Sequence, residues 1–296
     1  MQYQPMKWKA LPMRKMSIKN NAEHDTARER DDEHMNRLYC IPGLQQIESY
    51  LAFADAYQMS FEYNDFFLPA VLDDDMEKER MIKKYLALGR DCSQDTMHGA
   101  FLDLCIDSSD SRIFKVSDLR IRQSMEIAER MGLRAVIFHT NYIVNFRLQS
   151  YLDTWLLRNE AYWRQILREY PGQEIFLENM FDDTPKLLQK LAERMADEPR
   201  FAVCLDTAHA MISGSPLRPW LEGLQPYISH IHINDNDGRE DLHLAVGSGI
   251  FPWEDFNAWI RSFAKKPSVL IEVRKLADLK KSVEYMKRHA IYPFGE

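Results

Sequence analysis

The feature that most constrains the fold is a repeat. From Asn36 onward, short apolar runs rich in β-branched and aromatic residues alternate with longer amphipathic stretches. RLYCIPG leads into IESYLAFADAYQ, and SFEYNDFFLP leads into MEKERMIKKYLALG. TMHGAFLDL precedes SDLRIRQSMEIAERMG, in which Ile121, Met125, Ala128 and Met131 recur on one helical face. RAVIFHTNY, EIFLENM, FAVCLDTAHA, ISHIHINDND and SVLIEVR each open a further strand-helix unit. Gly89, Gly132 and Gly172 fall at or just beyond helix ends, and Asp182–Pro185 (DDTP) offers a helix cap with proline in the first turn. Eight such units, with strands apolar enough to be covered on both faces, predict an α/β protein of the (β/α)8 TIM-barrel type over residues 35–296. The competing open doubly wound sheet needs a glycine-rich phosphate loop after its first strand. IPGLQQ supplies a single glycine, so the barrel is preferred.

The remaining features narrow the class of function. A net charge of -7 argues against nucleic acid as the main partner without removing a local basic groove. No apolar run reaches the roughly 18 residues of a membrane helix, and the expected location is cytoplasmic. Cys40, Cys92, Cys105 and Cys204 show no paired spacing and read as reduced thiols, with Cys204 as core. Residues 1–34, basic at first and then mixed in charge, have almost nothing to bury and read as an irregular, mobile leader.

In a closed barrel the reacting groups stand at the carboxyl ends of the strands. Those ends carry His98, His139, Glu178, Asp206, His232 and Glu272, all of metal-ligand type. His209 follows Asp206 by three residues, and Asp241 and His243 sit two apart in a loop, where both can reach one ion or two adjacent ions. A glutamate closing an apolar run, as in IFLE and VLIE, is costly to bury without a partner, which favours a ligand or catalytic role for Glu178 and Glu272. Asp206 has a rival role as a helix cap. His98 and His139 singly would read as hydrogen-bonded core residues, but in this company they read as ligands. His230, on the strand face of His232 but two residues deeper, is expected to support rather than to bind. Arg239 is a candidate contact for an anionic substrate group, and Trp253, Trp220, Phe66 and Phe67 are candidate pocket walls.

The ordered pieces MHGAF, FHTN, FLEN, CLDTAH, HIND, DLH with GSG, and IEV resemble the xylose isomerase-like TIM-barrel superfamily over about residues 36–290. That superfamily holds sugar and sugar-phosphate isomerases and epimerases, and also endonuclease IV of AP endonuclease family 2. Resemblance to the isomerases implies one divalent ion on Glu178, Asp206, His232 and Glu272, with His209 near a sugar or sugar phosphate. Resemblance to the endonucleases implies three zinc ions shared by those five residues with His98, His139, Asp241 and His243. The endonuclease pattern has an arginine where Leu242 stands, and a longer, more basic loop than NDNDGRED. GSGIFPWEDF is similar to the passage that follows the histidine strand in sugar isomerases.

The first expectation is therefore an isomerase or epimerase. Its ion, Mn2+, Mg2+ or Co2+ in preference to Zn2+, would stabilise an enediolate while Glu178 and Glu272 transfer the proton. The alternatives are a trinuclear-zinc phosphodiesterase acting on abasic DNA and a non-catalytic metal-binding barrel.

Overall fold

A computed structural model describes Arg37–Gly295, and the expected leader over 1–34 lies outside the described residues. Among these residues eight strands form the sheet: β1 (Leu38–Cys40), β2 (Met59–Tyr63), β3 (Thr96–His98), β4 (Ala135–His139), β5 (Glu174–Glu178), β6 (Phe201–Asp206), β7 (Ile228–Ile233) and β8 (Ser268–Ile271). Each pairs in parallel with the next, and β8 pairs with β1 through Leu38 opposite Val269, so the sheet closes into the predicted barrel. Closure removes both edges, which excludes the open-sheet alternative.

Around the sheet lie α1 (Ile47–Tyr57), α2 (Pro69–Leu72), α3 (Asp75–Leu86), α4 (Ser111–Met131), α5 (Gln149–Glu169), α6 (Lys186–Arg194), α7 (Thr207–Ile212), α8 (Leu217–Leu224), α9 (Trp253–Ser262) and α10 (Leu276–Arg288). The periodicity of α4 holds: Ile121, Met125, Ala128 and Met131 are all buried. The Asp110 carboxylate accepts from Arg112 N at its start, and Gly132, at φ 67°, closes it in the left-handed conformation that glycine adopts without steric cost.

One local expectation changes and another is met. DDTP does not cap α6 with a side chain; Asp182 turns inward instead and accepts from Thr140 Oγ1 and Met180 N, both at 2.7 Å. The cap weighed for Asp206 is present: it ends β6, and its carboxylate accepts from His209 N at 2.6 Å and opens α7.

The two faces of the barrel differ in chemistry. Outward-facing strand residues pack with the helices, as where Phe138 stacks on Trp163 at 5.3 Å between ring centroids. Ala135, Ile137, Phe176, Ala202 and Cys204 form a separate small apolar cluster. Strand alternation places His139 on the same face as Ala135 and Ile137, so the interior passes from apolar to polar along the strands.

Gly99 fixes the turn after β3. A Cβ there would lie 2.4 Å from the Phe138 ring, which Trp163 holds in place. We expect Gly99→Ala to cost about 1–3 kcal/mol through overpacking, read as a lower denaturation midpoint with an unchanged m-value.

Candidate metal centre

The barrel brings the six strand-end residues into one polar mouth. His98, His139, Glu178 and Asp206 terminate β3, β4, β5 and β6, His232 lies one residue before the end of β7, and Glu272 follows β8 directly. All six are buried. Glu178 is central. Its Oε2 lies 3.3 Å from His139 Nε2, 3.4 Å from His232 Nδ1 and 3.8 Å from His98 Nε2, while Oε1 lies 3.4 Å from His209 Nδ1.

The candidate ligand atoms form three adjoining groups, each within 4.8 Å: His98, His139 and Glu178; Glu178, Asp206 and His209; and Asp206, His232 and Glu272. The loop after β7 delivers Asp241 and His243 to the same place. Asp241 Oδ2 is 3.0 Å from His243 Nε2 and 3.5 Å from His209 Nε2.

Hydrogen bonds at the rear of the rings set their tautomers. A backbone carbonyl only accepts, so a ring nitrogen bonded to one carries a proton, and the other nitrogen of a neutral ring is bare. His98 Nδ1 donates to Gly99 O at 2.9 Å, His209 Nδ1 to Asn179 O at 2.9 Å and His243 Nδ1 to Glu272 O at 3.2 Å. The Nε2 of His98 then turns its lone pair towards His139 Nε2 3.1 Å away, while those of His209 and His243 face the Asp241 carboxylate, which without an ion favours a proton between them. Lone pairs facing carboxylates repel unless a cation or a proton lies between them. Glu178 Oε2, Asp206 Oδ2, His232 Nδ1 and Asp241 Oδ1 are also buried without a hydrogen bond. This donor set fits divalent ions.

The electrostatics agree with that fit. Burial would raise the Glu178 carboxyl, but His232 and His139 hold it well below the usual range. Burial would likewise raise the Asp241 carboxyl, but His209 and His243 hold it well below the usual range. Burial and the neighbouring His139 push His98 down to about 4, which keeps its Nε2 bare. Burial raises Glu272 to about 8, with Asp206 and Glu178 adding to it. His243 is held up to about 9, because the Asp241 and Glu272 carboxylates outweigh its burial.

Other candidates stand elsewhere. Arg239 is exposed, with its backbone N–H on Asp237. Trp253 is 4% exposed and donates from Nε1 to Asp235 Oδ2 at 2.9 Å, so it braces the loop. Trp220 and Phe66 are fully buried. Phe67 does face the site, its ring 6.0 Å from that of His98. The aromatic neighbours not anticipated are Phe101, 4.6 Å from His139, and Phe181, 57% exposed and 5.7 Å from His209. Glu62 on β2 was also missed, although an acid inside the apolar run SFEY carries the same signal that marked Glu178. Cys204 belongs to the interior cluster as expected, yet its sulfur lies within ligand distance of Glu178 and His232.

Fold and site together define a (β/α)8 barrel with candidate metal-ligand groups at its carboxyl mouth. The profile of the xylose isomerase-like TIM barrel family matches residues 53–289, and the chain belongs to that family. An uncharacterized protein of Methanocaldococcus jannaschii is 28% identical over 204 residues, covering 65% of this chain and 69% of that protein. A Mycoplasmopsis agalactiae protein named "Probable endonuclease 4" is 27% identical over 154 residues, 45% of this chain and 52% of that protein. Among solved structures, the TTHB071 protein of Thermus thermophilus, from a ZnCl2 soak, superposes with a TM-score of 0.68 at 22% identity, covering 88% of this chain and all of that one. A D-tagatose 3-epimerase-like protein gives 0.65 at 21%, covering 85% and 96%. These structural likenesses support the fold.

Two expectations follow. Without a bound ion, His243 and Glu272 hold protons at pH 7, and an ion that takes His243 Nε2 and the Glu272 carboxylate displaces them. Zinc titration calorimetry in buffers of different ionisation enthalpy therefore shows net proton release at pH 7; a buffer-independent enthalpy contradicts it. Second, Asp235 accepts from Gly247 N, Phe251 N and Trp253 Nε1 and so holds the loop that carries Asp241 and His243. Asp235→Ala strands these donors, and we expect a loss of about 3 kcal/mol or more in chemical denaturation.

Proposed function

We propose that the protein is a metal-dependent hydrolase of phosphate esters whose centre holds more than one divalent ion. The observation that carries this reading is the convergence of His98, His209 and His243. Each is pinned from behind by a carbonyl; His98 and His209 share Glu178, while His243 stands by Asp241 and Glu272. A single ion on Glu178, Asp206, His232 and Glu272 would leave two further ligand-type pairs, His98 with His139 and Asp241 with His243, unused beside it. The number of imidazoles also moves the preferred metal from the Mg2+ and Mn2+ of an oxygen-rich site towards Zn2+.

Ions bound there supply Lewis acidity for the phosphoryl oxygens and a water of lowered pKa for attack on phosphorus. The chain supplies the positioning. Asn179 exchanges two 2.9 Å hydrogen bonds with the backbone of Asp206 and accepts from His209, so one residue sets the relative places of two ligands. Phe67, Phe101 and Phe181 narrow the mouth beside the histidines and limit bulk water. Asp103, Asp110, Asp237 and Glu240 are exposed on the loops that follow the strands. The same loops expose Arg147, Arg239, Arg274 and Lys275, a mixed rim with, among the described residues, no continuous basic track of the kind a duplex backbone takes, so the substrate proposed is a small phosphate ester. The sequence relative named as an endonuclease supports the chemistry, and the chain spans about half its length.

One observation favours a second reading, isomerisation or epimerisation of a sugar or sugar phosphate. The Glu178 and Glu272 carboxylates flank His232 Nδ1 at 3.4 and 3.8 Å, and such a pair is suited to take a proton from carbon and return it. The D-tagatose 3-epimerase-like structure shares the scaffold on which that reading would rest.

Zinc counted per purified chain, together with two assays, separates the readings. We expect two or more ions and release of nitrophenolate from bis(4-nitrophenyl) phosphate. One ion per chain with deuterium uptake into a ketose in D2O would overturn the hydrolase and favour the second reading.

A further inference from the structure

Beneath the ligands lies a second polar layer, wholly buried. Glu62 is 0% exposed on β2, and its carboxylate reaches across the barrel to β3 and β7. Oε2 accepts from Thr96 Oγ1 at 2.8 Å and lies 3.3 Å from His230 Nε2. Oε1 lies 3.1 Å from His232 Nε2, and neither atom makes a hydrogen bond in this structure. A carboxylate so deep is tolerated only where N–H and O–H donors or positive charge compensate it. Here the Thr96 hydroxyl donates, and two imidazole nitrogens stand within ion-pair distance.

His232 differs from the other candidate ligands in orientation. His98, His209 and His243 are tied through Nδ1 and present Nε2 to the centre. His232 presents Nδ1, 3.4 Å from Glu178 Oε2, and turns Nε2 down to Glu62. No backbone carbonyl accepts from that Nε2. An imidazole binds an ion only through a bare nitrogen, and a neutral ring keeps its proton on the other one. Whatever receives the Nε2 proton therefore decides whether Nδ1 is available.

We propose that Glu62 is a positioning residue for the metal centre: its Oε1 is placed to accept the Nε2–H of His232, which keeps the proton on that nitrogen and leaves Nδ1 bare towards Glu178 and Glu272. The inference rests on the reading that His232 holds a divalent ion. His230 completes the arrangement. Its Nδ1 lies 2.6 Å from Ser268 Oγ, whose hydroxyl donates to Ser229 O at 3.2 Å, and its Nε2 lies 3.3 Å from Glu62 Oε2. Glu62 Oε2 already accepts from Thr96 Oγ1, which leaves Oε1 for the His232 ring. The competing occupant of the same space is a further ion between Glu62, His230 and His232, whose ligand atoms lie within 4.8 Å of one another. That arrangement requires His232 Nε2 to be bare, so the position of one proton distinguishes the two.

The test uses the full chain with 15N-labelled histidine, loaded with Zn2+, and long-range 1H–15N spectra of the imidazoles. The expected result is a protonated Nε2 and a zinc-bound Nδ1 on His232; coordination through Nε2 overturns the proposal. In Glu62→Gln, zinc affinity measured by chelator competition falls about 10–100-fold, while the circular dichroism and the zinc-free Tm stay close to wild type. Unchanged affinity overturns the role of Glu62 while leaving the metal centre standing. If the wild type takes up no divalent ion, the metal reading falls and this inference falls with it. Should Glu62→Gln not fold, the wild-type spectrum decides alone.

Discussion

A carboxylate held in the barrel interior has to be compensated, and Glu178 is where that requirement is most severe. It is 1% exposed, and histidines from β3, β4, α7 and β7 surround its two oxygens. Barrel closure makes this possible. In-register parallel pairing sets His139 beside Glu178 and Asp206 beside His232, so side chains far apart in sequence become neighbours. The same burial that makes an uncompensated Glu178 costly makes its attraction for a cation large.

The second organising group is Asp235, just past β7. It binds no candidate ligand directly. It gathers the N–H groups of a returning loop, so that Asp241 and His243 arrive beside His209 instead of extending into solvent. Gly249 is required by the same packing, since a Cβ there would lie 2.3 Å from the carbonyl oxygen of Asn236. The glycine and tryptophan of GSGIFPW thus serve loop geometry, and the wall of the mouth is built by Phe67, Phe101 and Phe181 instead.

One scaffold in this family accommodates both hydrolytic and proton-transfer chemistry, and the fold does not choose between them. The choice lies in the ligand count and in the charge of the loops. This chain combines nine ligand-type side chains at the barrel mouth with exposed residues of both charges on the loops that follow the strands.

Much of the architecture was legible from the chain itself. Strand and helix periods are local properties, so the alternation from Arg37 onward, the buried face of α4 and the strand ends from His98 to Glu272 could all be read from residue order. Glu178 and Glu272 could be nominated because an acid closing an apolar run is an energetic anomaly visible in sequence. Glu62 carries a similar anomaly, but it lies inside its strand and no local feature marks which neighbour would meet it. Asp206 was divided between capping and binding; the structure shows the cap, one oxygen on His209 N, and leaves the other oxygen without a hydrogen bond beside the candidate ligands. The roles of Trp253 in bracing a loop and of Asp182 in holding Thr140 depend on partners brought close only when the chain folds. Sequence by itself therefore determined the repeat, the closed sheet and the chemical types at its mouth, because these follow from periodicity and burial. Tertiary structure alone decided which nitrogen of each histidine faces the centre, since that depends on the carbonyl or carboxylate that barrel closure places behind the ring.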